Sequence, residues 1–378
     1  MSRDVQVIPL PFDRSGVRRF LDMALEVYPP DSLWVAPLFI DALENLSPRN
    51  PFYDHAEIAL WVARRDGRDV GRIAALHDRR YRPPWNQPTA FFGLFECLPD
   101  PAVSAALFHQ VHEWARARKL QRVLGPLTSA TTNECGLLVR GFEQSPTIMT
   151  PYNPPYYADL IEAAGYRKAK DLLAFDFGLS QNPMERLERV ARRFRQRNPN
   201  LRIRPVTRRS LSADLPLIKR ICNEGWEDNW GFTPVTDAEI DFIAGRLKPM
   251  LTEGLVWLAE EDGEPAGALI AMLDFNQAIK PLRGRLLHPG ILRALTYLLN
   301  FRHPPHARVL MLGIRPAFRR RGIESVLLFE GLQAARRLRL RSAEASWILE
   351  DNLPVQQTIA HQGGTPSKIY RLYDRAVD

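Results

Sequence analysis

A repeat divides the chain and limits its fold more firmly than any local propensity. The stretch "LWVARRDGRDVGRIAALHD", residues 60–78, aligns with "VWLAEEDGEPAGALIAMLD", residues 256–274, at a shift of 196. Trp61 meets Trp257, Asp66-Gly67 meets Asp262-Gly263, and Gly71 meets Gly267. The same shift pairs Pro9 with Pro205 and Trp34 with Trp230, well outside the turns. In each copy alternating apolar residues break at Asp-Gly, the signature of a two-residue hairpin.

Further on the shift becomes 220, where residues 105–120, "AALFHQVHEWARARKL", face residues 325–340, "SVLLFEGLQAARRLRL". Both show the three- and four-residue apolar spacing of an amphipathic helix. The second copy therefore carries 24 inserted residues, which include "LLHPGILRALTYLLNF". Asn153-Pro154-Pro155 then pairs with Asn352-Leu353-Pro354, and Gly165 with Gly364, at a shift of 199. Each copy reads strand, helices, hairpin, strand, helix, strand, helix, strand. The expected fold class is α/β, an α+β arrangement with a mixed sheet, made by internal duplication. Residues 1–178 are the first domain, 179–199 a basic linker helix ("NPMERLERVARRFRQRNPN"), and 200–378 the second domain.

Length and composition permit two ordinary cores: 378 residues, 45% hydrophobic. With 51 basic against 43 acidic residues, a net charge of +8 favours anionic partners such as coenzyme phosphates, acidic lipid head groups or nucleic acid. Cys97, Cys135 and Cys222 are odd in number and lack C-x-x-C spacing, so neither a disulfide framework nor a metal site is expected, and a reducing cytoplasm fits. "MSRDVQVIPLPFDRSG" has no apolar signal core. The most apolar run, residues 286–301, is short for a bilayer span and contains His288, Pro289 and Arg293.

One segment reads as a phosphate cradle: "IRPAFRRRGIES", residues 314–325, leads from a strand through a proline, three arginines and a glycine into a helix. N–H groups at a helix start are unpaired and stabilise an anion. Gly322 removes the Cβ that would block close approach, and Arg319, Arg320 and Arg321 add charge suited to phosphate oxygens. Glu324 places a carboxylate there and is expected to turn aside. The alternative is a basic turn of purely structural use. The first copy has Leu98-Pro99-Asp100-Pro101-Ala102-Val103-Ser104 at this point, without glycine or arginine, so only the second copy is expected to bind.

These residues carry a family resemblance. "LGIRPAFRRRGIES" resembles the coenzyme-A loop of the GNAT acyltransferases, V-x-P-x-x-[RQ]-x-x-G-x-[GA]: Ile314, Pro316, Arg319 and Gly322 match, and Glu324 departs. Both copies also resemble GNAT domains in element order. "NEGWEDNWGFTP", "GPLTSATTNECGLLVRGF" and "PYNPPYYADLIEAAGY" are similar to a bacterial tandem-GNAT group that includes the bacterial ceramide synthases. The resemblance covers nearly the whole chain and implies acyl-CoA as co-substrate. It implies that Leu312, Ile314, Arg315, Arg319, Arg320, Arg321, Gly322 and Ile323 hold the coenzyme, with the backbone of Leu312 and Ile314 on a splayed strand along the pantetheine.

Direct attack of an amine on a thioester needs no enzyme nucleophile, so Cys222 reads as a small core residue. Glu350 and Asp351, beside Asn352, are candidate bases where a strand opens toward the ligand; the competing reading is loop and helix-cap chemistry. Where the family often carries a tyrosine acid this chain has Ile359, and Tyr370 or Tyr373 would substitute or else simply pack. Glu224, Trp226, Asn229 and Trp230 lie where the resemblance puts the acceptor. The insertion, with Leu295 and Leu298 among its leucines and Arg283, Arg285, Arg302 and Arg308 about it, reads as a lid, an acyl-channel wall or an interfacial helix on acidic head groups. A helix packed between the domains is the plainer alternative.

Three functions follow as expectations. The first is N-acyl transfer from a long-chain acyl-CoA to a lipid amine, a sphingoid base by resemblance, in the cytoplasm with peripheral contact at an acidic membrane surface. An acyl carrier protein is an alternative donor. The second is acetyl- or aminoacyl-transfer to a soluble amine. The third is a non-catalytic module using the basic segment, residues 189–209; nucleic acid is disfavoured because Phe194 is its one aromatic residue.

Overall fold

The structure, a computed structural model, describes residues 5–128, 134–179, 184–301 and 304–377. Residues 129–133 of the "GPLTSATTNECGLLVRGF" segment, Asn182 and Pro183 of the linker, and Arg302 lie outside the described residues.

In chain order the first copy forms β1 (Gln6–Leu10), α1 (Arg14–Asp22), α2 (Ala24–Val27), α3 (Phe39–Asn45), β2 (Ala56–Arg65), β3 (Arg68–Asp78), β4 (Thr89–Cys97), α4 (Pro101–Ala117), β5 (Arg122–Gly125), β6 (Leu137–Arg140), α5 (Tyr157–Ala163) and β7 (Arg167–Gly178). After α6 (Met184–Arg197) the second copy follows as β8 (Leu201–Pro205), α7 (Leu211–Gly225), α8 (Asp237–Leu247), β9 (Val256–Glu261) and β10 (Glu264–Leu273). The insertion carries α9 (Asn276–Ile279) and α10 (Ile291–Phe301). Then come β11 (His306–Ile314), α11 (Ile323–Arg337), β12 (Ser342–Leu349), α12 (Leu353–His361) and β13 (Thr365–Ala376). The order expected from the repeat recurs in both copies, with β6 added in the first.

The chain packs as two compact units, one of residues 1–172, 276–296 and 368–378, the other of residues 173–275 and 297–367. In the first, β1 to β4 are antiparallel neighbours in sequence order, β5 lies parallel to β4, and β13 pairs antiparallel with both β5 and β6. In the second the order is β7-β12-β11-β10-β9-β8, with β11 and β12 parallel and the pairs from β8 to β11 antiparallel. Packing thus follows strand pairing rather than chain order.

Local chemistry explains the shared elements. Asp66 and Gly67 have φ of 51° and 77°, Asp262 and Gly263 of 51° and 82°, the doubly left-handed turn that matches strand twist in a hairpin. α4 buries Val103, Leu107, Phe108, Val111 and Ala115 along one face against its sheet, and α11 buries Ile323, Val326 and Leu327. Each such large apolar side chain contributes about 1.5–3 kcal/mol on burial. The basic α6 is no free linker: Leu187, Ala191 and Phe194 pack with Ile323 and Val326, which takes Phe194 away from any base-stacking role. The start of the insertion is tied down by Phe39 N–H to the Gly284 carbonyl and Asn276 Nδ2 to the Pro146 carbonyl.

Candidate active site

The site lies in the second unit where two parallel strands part. β11 and β12 pair only from His306 to Val309 opposite Ser342 to Ala345. Against β10 the register slips between Ile270, opposite Met311, and Ala271, opposite Val309, so Leu310 is an extra residue. Such a bulge bends its strand. Arg315 N–H bonds the Ala266 carbonyl. Because successive residues of a strand direct their backbone groups to opposite neighbours, Leu312 and Ile314 turn theirs away from β10, into the gap. A ligand bearing amides can bond there as an added strand would.

At the end of β11 the chain makes a tight turn, Pro316–Phe318, and passes through Arg320 (φ 62°) and Gly322 (φ 86°) before α11 begins at Ile323. No side chain caps this helix, so its first N–H groups face outward as anion donors. A cavity of about 690 Å³ opens here. Arg319, Arg320 and Glu324 stand at the helix-start end, Trp226, Asn229 and Asn352 on its sides, and Gly331, Ala335 and Leu340 at the far end of α11. From Glu324 to Ala335 the wall follows about 16 Å of helix at 1.5 Å per residue. Between these ends the wall is apolar: Leu312, Val309, Leu332, Ala343, Ala345 and Ile359. Donors at one end, strand backbone turned from β10 in the middle and an apolar depth fit the three parts of an acyl-CoA.

Several expected residues are placed otherwise. Arg315 is buried, its guanidinium bonded to Glu224 (2.6 Å), Glu264 (3.4 Å) and the Pro265 carbonyl (2.6 Å), so strand alternation has turned its side chain from the cavity. The same contact occupies Glu224: Arg315, helped by Arg220, holds its carboxyl below the ordinary value. Arg321 pairs with both carboxylate oxygens of Glu261; Arg319 and Arg320 line the cavity, Arg319 donating to the carbonyls of Gly225 (2.8 Å) and Ile314 (3.4 Å). Glu324, on the first turn of α11, is half-buried and lines the cavity. Glu350 and Asp351 sit in the turn after β12 and outside the cavity wall, while Asn352 caps α12 by accepting the Val355 N–H (3.4 Å) and does line the wall. Tyr370 is fully buried in the first unit, as β13 requires. Tyr373, also buried, bonds Glu162 (3.1 Å) in the same unit. Trp230 is half-buried outside the wall; Leu295 is exposed and Leu298 half-buried on α10, neither lining the cavity. Arg308, expected at a membrane, is 2% exposed. Burial pushes the Cys222 thiol up to about 12, which leaves it no nucleophile.

Arg308 belongs to a polar cluster that sequence reasoning missed. Its Nε donates to Ser346 Oγ (2.9 Å), its Nη2 to the Ser346 carbonyl (3.2 Å), and the guanidinium stacks 4.6 Å from the Trp347 ring centre. Ser346 Oγ donates in turn to buried Glu344 (2.6 Å). Ser346 and Trp347 line the cavity beside the point where β11 and β12 separate. The one signal in the sequence was Glu344 at a core-facing position of an apolar strand.

The first unit holds the same elements with the equivalent gap filled. β4 and β5 pair only from Thr89 to Phe91, and Leu98 N–H bonds the Val70 carbonyl, which turns the backbone of Cys97 outward as it does that of Ile314. There Tyr157 accepts the Cys97 N–H (2.8 Å) and Tyr156 donates to the Cys97 carbonyl (2.8 Å). Tyr157 also donates to Glu96 (2.7 Å). Asp100 occupies the anion position, its carboxylate accepting Ala102 and Val103 N–H at the start of α4 and pairing with Arg65. In the second copy Val355 and Gln356 replace the two tyrosines.

Comparison with known proteins agrees with this geometry. Residues 217–363 match the Acetyltransferase (GNAT) family. Over 99% of this chain and 98% of the other, the sequence is 34% identical to the Bacterial ceramide synthase of Caulobacter vibrioides. It is 31% identical to Protein YghO of Escherichia coli, over 97% of this chain and 94% of that one. In fold it is similar to a tandem GNAT protein from the clavulanic acid biosynthesis pathway, with a TM-score of 0.57 over 99% of each chain at 15% identity. The chain belongs to the GNAT acyltransferase family and is an acyl-CoA-dependent N-acyltransferase built from two tandem copies of that fold.

Proposed function

We propose that the enzyme moves a long-chain acyl group from its thioester to the primary amine of a lipid, a sphingoid base being the first candidate. The apolar depth of the cavity along α11 carries this reading, because a short acyl group would leave it empty. The name of the Caulobacter relative supports the choice of amine. Peripheral contact with an acidic membrane surface belongs to the same proposal. Arg319, Arg320 and the N–H groups after Gly322 hold the pyrophosphate, and the backbone of Leu312 and Ile314 holds the pantetheine. Trp226 and Asn229 lie on the acceptor's side.

The reaction forms a C–N bond and breaks the C–S bond, and one amine proton must reach the departing sulfur. Ser346 Oγ has one lone pair left after accepting from Arg308, while its own proton points at Glu344. An amine N–H that donates to Oγ can pass a proton through it to Glu344. The same path, reversed, returns that proton to the thiolate, so donor and acceptor balance.

The test compares kcat/KM for acetyl-, octanoyl- and palmitoyl-CoA, and for palmitoyl on an acyl carrier protein, with sphinganine as acceptor. Palmitoyl-CoA is expected to exceed acetyl-CoA by about a hundredfold or more, since each buried methylene is worth about 0.8 kcal/mol. Ala335→Phe fills the deep end and should cut palmitoyl turnover about a hundredfold while leaving octanoyl turnover within about threefold. Equal use of acetyl-CoA, or palmitoyl turnover indifferent to Ala335→Phe, would sink the long-chain reading. Turnover from the carrier protein alone would transfer the donor role to it.

A further inference from the structure

We infer that helix α10 and the loop before it form a docking surface for an anionic lipid bilayer. Leu286, Leu287, Leu292, Leu295 and Leu299 are 51%, 100%, 71%, 48% and 79% exposed. Scattered exposed leucines are ordinary, but a contiguous group on one element marks an interaction surface. On a helix of 3.6 residues per turn, Leu292, Leu295 and Leu299 fall within roughly 60° of arc. Ala294 is buried on the opposite side, so the stripe is the outward face of a helix already seated on the protein.

Charge selects the occupant. From residue 275 to residue 301 the sequence has four Lys or Arg (Lys280, Arg283, Arg285 and Arg293) and no Asp or Glu. Arg285 and Arg293 are exposed beside the leucines and Arg283 is half-exposed. Arg285 lies 3.5 Å from Asp22 in an exposed pair. Apolar residues flanked by arginines suit the boundary between acyl chains and anionic head groups. A second copy of the chain would bring arginines against arginines. No helix among the described residues is long and apolar enough to cross a membrane, so the contact is peripheral. This inference deepens the lipid-amine reading by naming the surface, and stands on exposure and charge without needing the amine's identity.

The full-length protein is to be sedimented with vesicles of phosphatidylglycerol and phosphatidylcholine, and with phosphatidylcholine alone, in low and high salt. Partition onto the anionic vesicles should be about tenfold stronger and should weaken as salt screens the arginines. The triple variant Leu287→Asp, Leu292→Asp, Leu299→Asp, all at exposed positions, should lose about tenfold or more of that binding. Arg285→Glu with Arg293→Glu should lose the preference for anionic lipid. The triple variant should still turn over a short-chain acyl-CoA with a water-soluble amine at the wild-type rate, which separates loss of docking from loss of chemistry. Failure of the wild type to bind, or binding unchanged in the triple variant, overturns the inference. So would a sedimentation-velocity dimer of the wild type that the leucine substitutions dissolve.

Discussion

Gly322→Asp is expected to weaken coenzyme A binding by about a thousandfold, measured by calorimetry with free coenzyme A and palmitoyl-CoA. Gly322 has φ of 86°, and a Cβ there would meet nothing closer than Phe194 Cδ2 at 3.4 Å. Steric collision within the protein is therefore not the cause. A side chain in the left-handed region costs about 1–2 kcal/mol, and hydrogen bonds to a charged group about 1.5–3 kcal/mol each when lost. Aspartate adds a carboxylate at the proposed pyrophosphate site, beside Glu324, which already lines the cavity. Gly322→Ala carries the strain without the charge and should cost only about tenfold, while Gly322→Asn, which tolerates this backbone, should cost less still. If the aspartate variant bound coenzyme A within tenfold of the wild type, the helix start would not be the phosphate site.

Those elements that local chemistry dictates were legible in the chain. An Asp-Gly pair needs only its own two residues to make a hairpin turn, and the apolar faces of α4 and α11 repeat at helical spacing. What the repeat could not reveal is which sheet the last strands join. β13 ends the second copy in sequence, yet its residues from 368 onward pair with β5 and β6 in the first unit. Pairing of a terminal strand is a non-local choice, and neither its alternation nor its flanking turns name the partner. The basic segment is a helix between the two copies, and its apolar residues at every third or fourth position seat α6 on α11.

The site divides along the same line. Anion binding at a helix start uses backbone and one glycine at fixed spacing, so Gly322 and the arginines around it stood out. Sequence adjacency then overreached, because Arg315 and Arg321 flank the loop but are directed elsewhere, one by strand alternation and one by Glu261. The closed gap of the first unit was visible only as missing glycine and arginine. That Tyr156 and Tyr157 take the backbone bonds at Cys97 required the fold. Arg308, Glu344 and Ser346 were hidden for the same reason, being brought together by the register of two strands 36 residues apart.

Ser346→Ala is the second change with a large expected effect: single-turnover acyl transfer should fall about a hundredfold or more, the usual worth of a positioned proton-transfer group. Measuring the rate per bound palmitoyl-CoA counts only folded, loaded enzyme, so the stability cost of about 1–3 kcal/mol for stranding Arg308 and Glu344 does not enter it. Coenzyme affinity should stay within about threefold, because Ser346 lies past the end of the paired segment and away from the helix start. Ser346→Thr keeps the hydroxyl and should recover most of the rate. Glu344→Gln keeps size and a hydrogen-bond acceptor but takes no proton, and should lose as much as Ser346→Ala. These two variants separate a proton path from a merely structural bond, since a structural bond would survive Glu344→Gln. A Ser346→Ala enzyme turning over within threefold of the wild type would remove the cluster from the chemistry and leave Arg308 as the strut between β11 and β12.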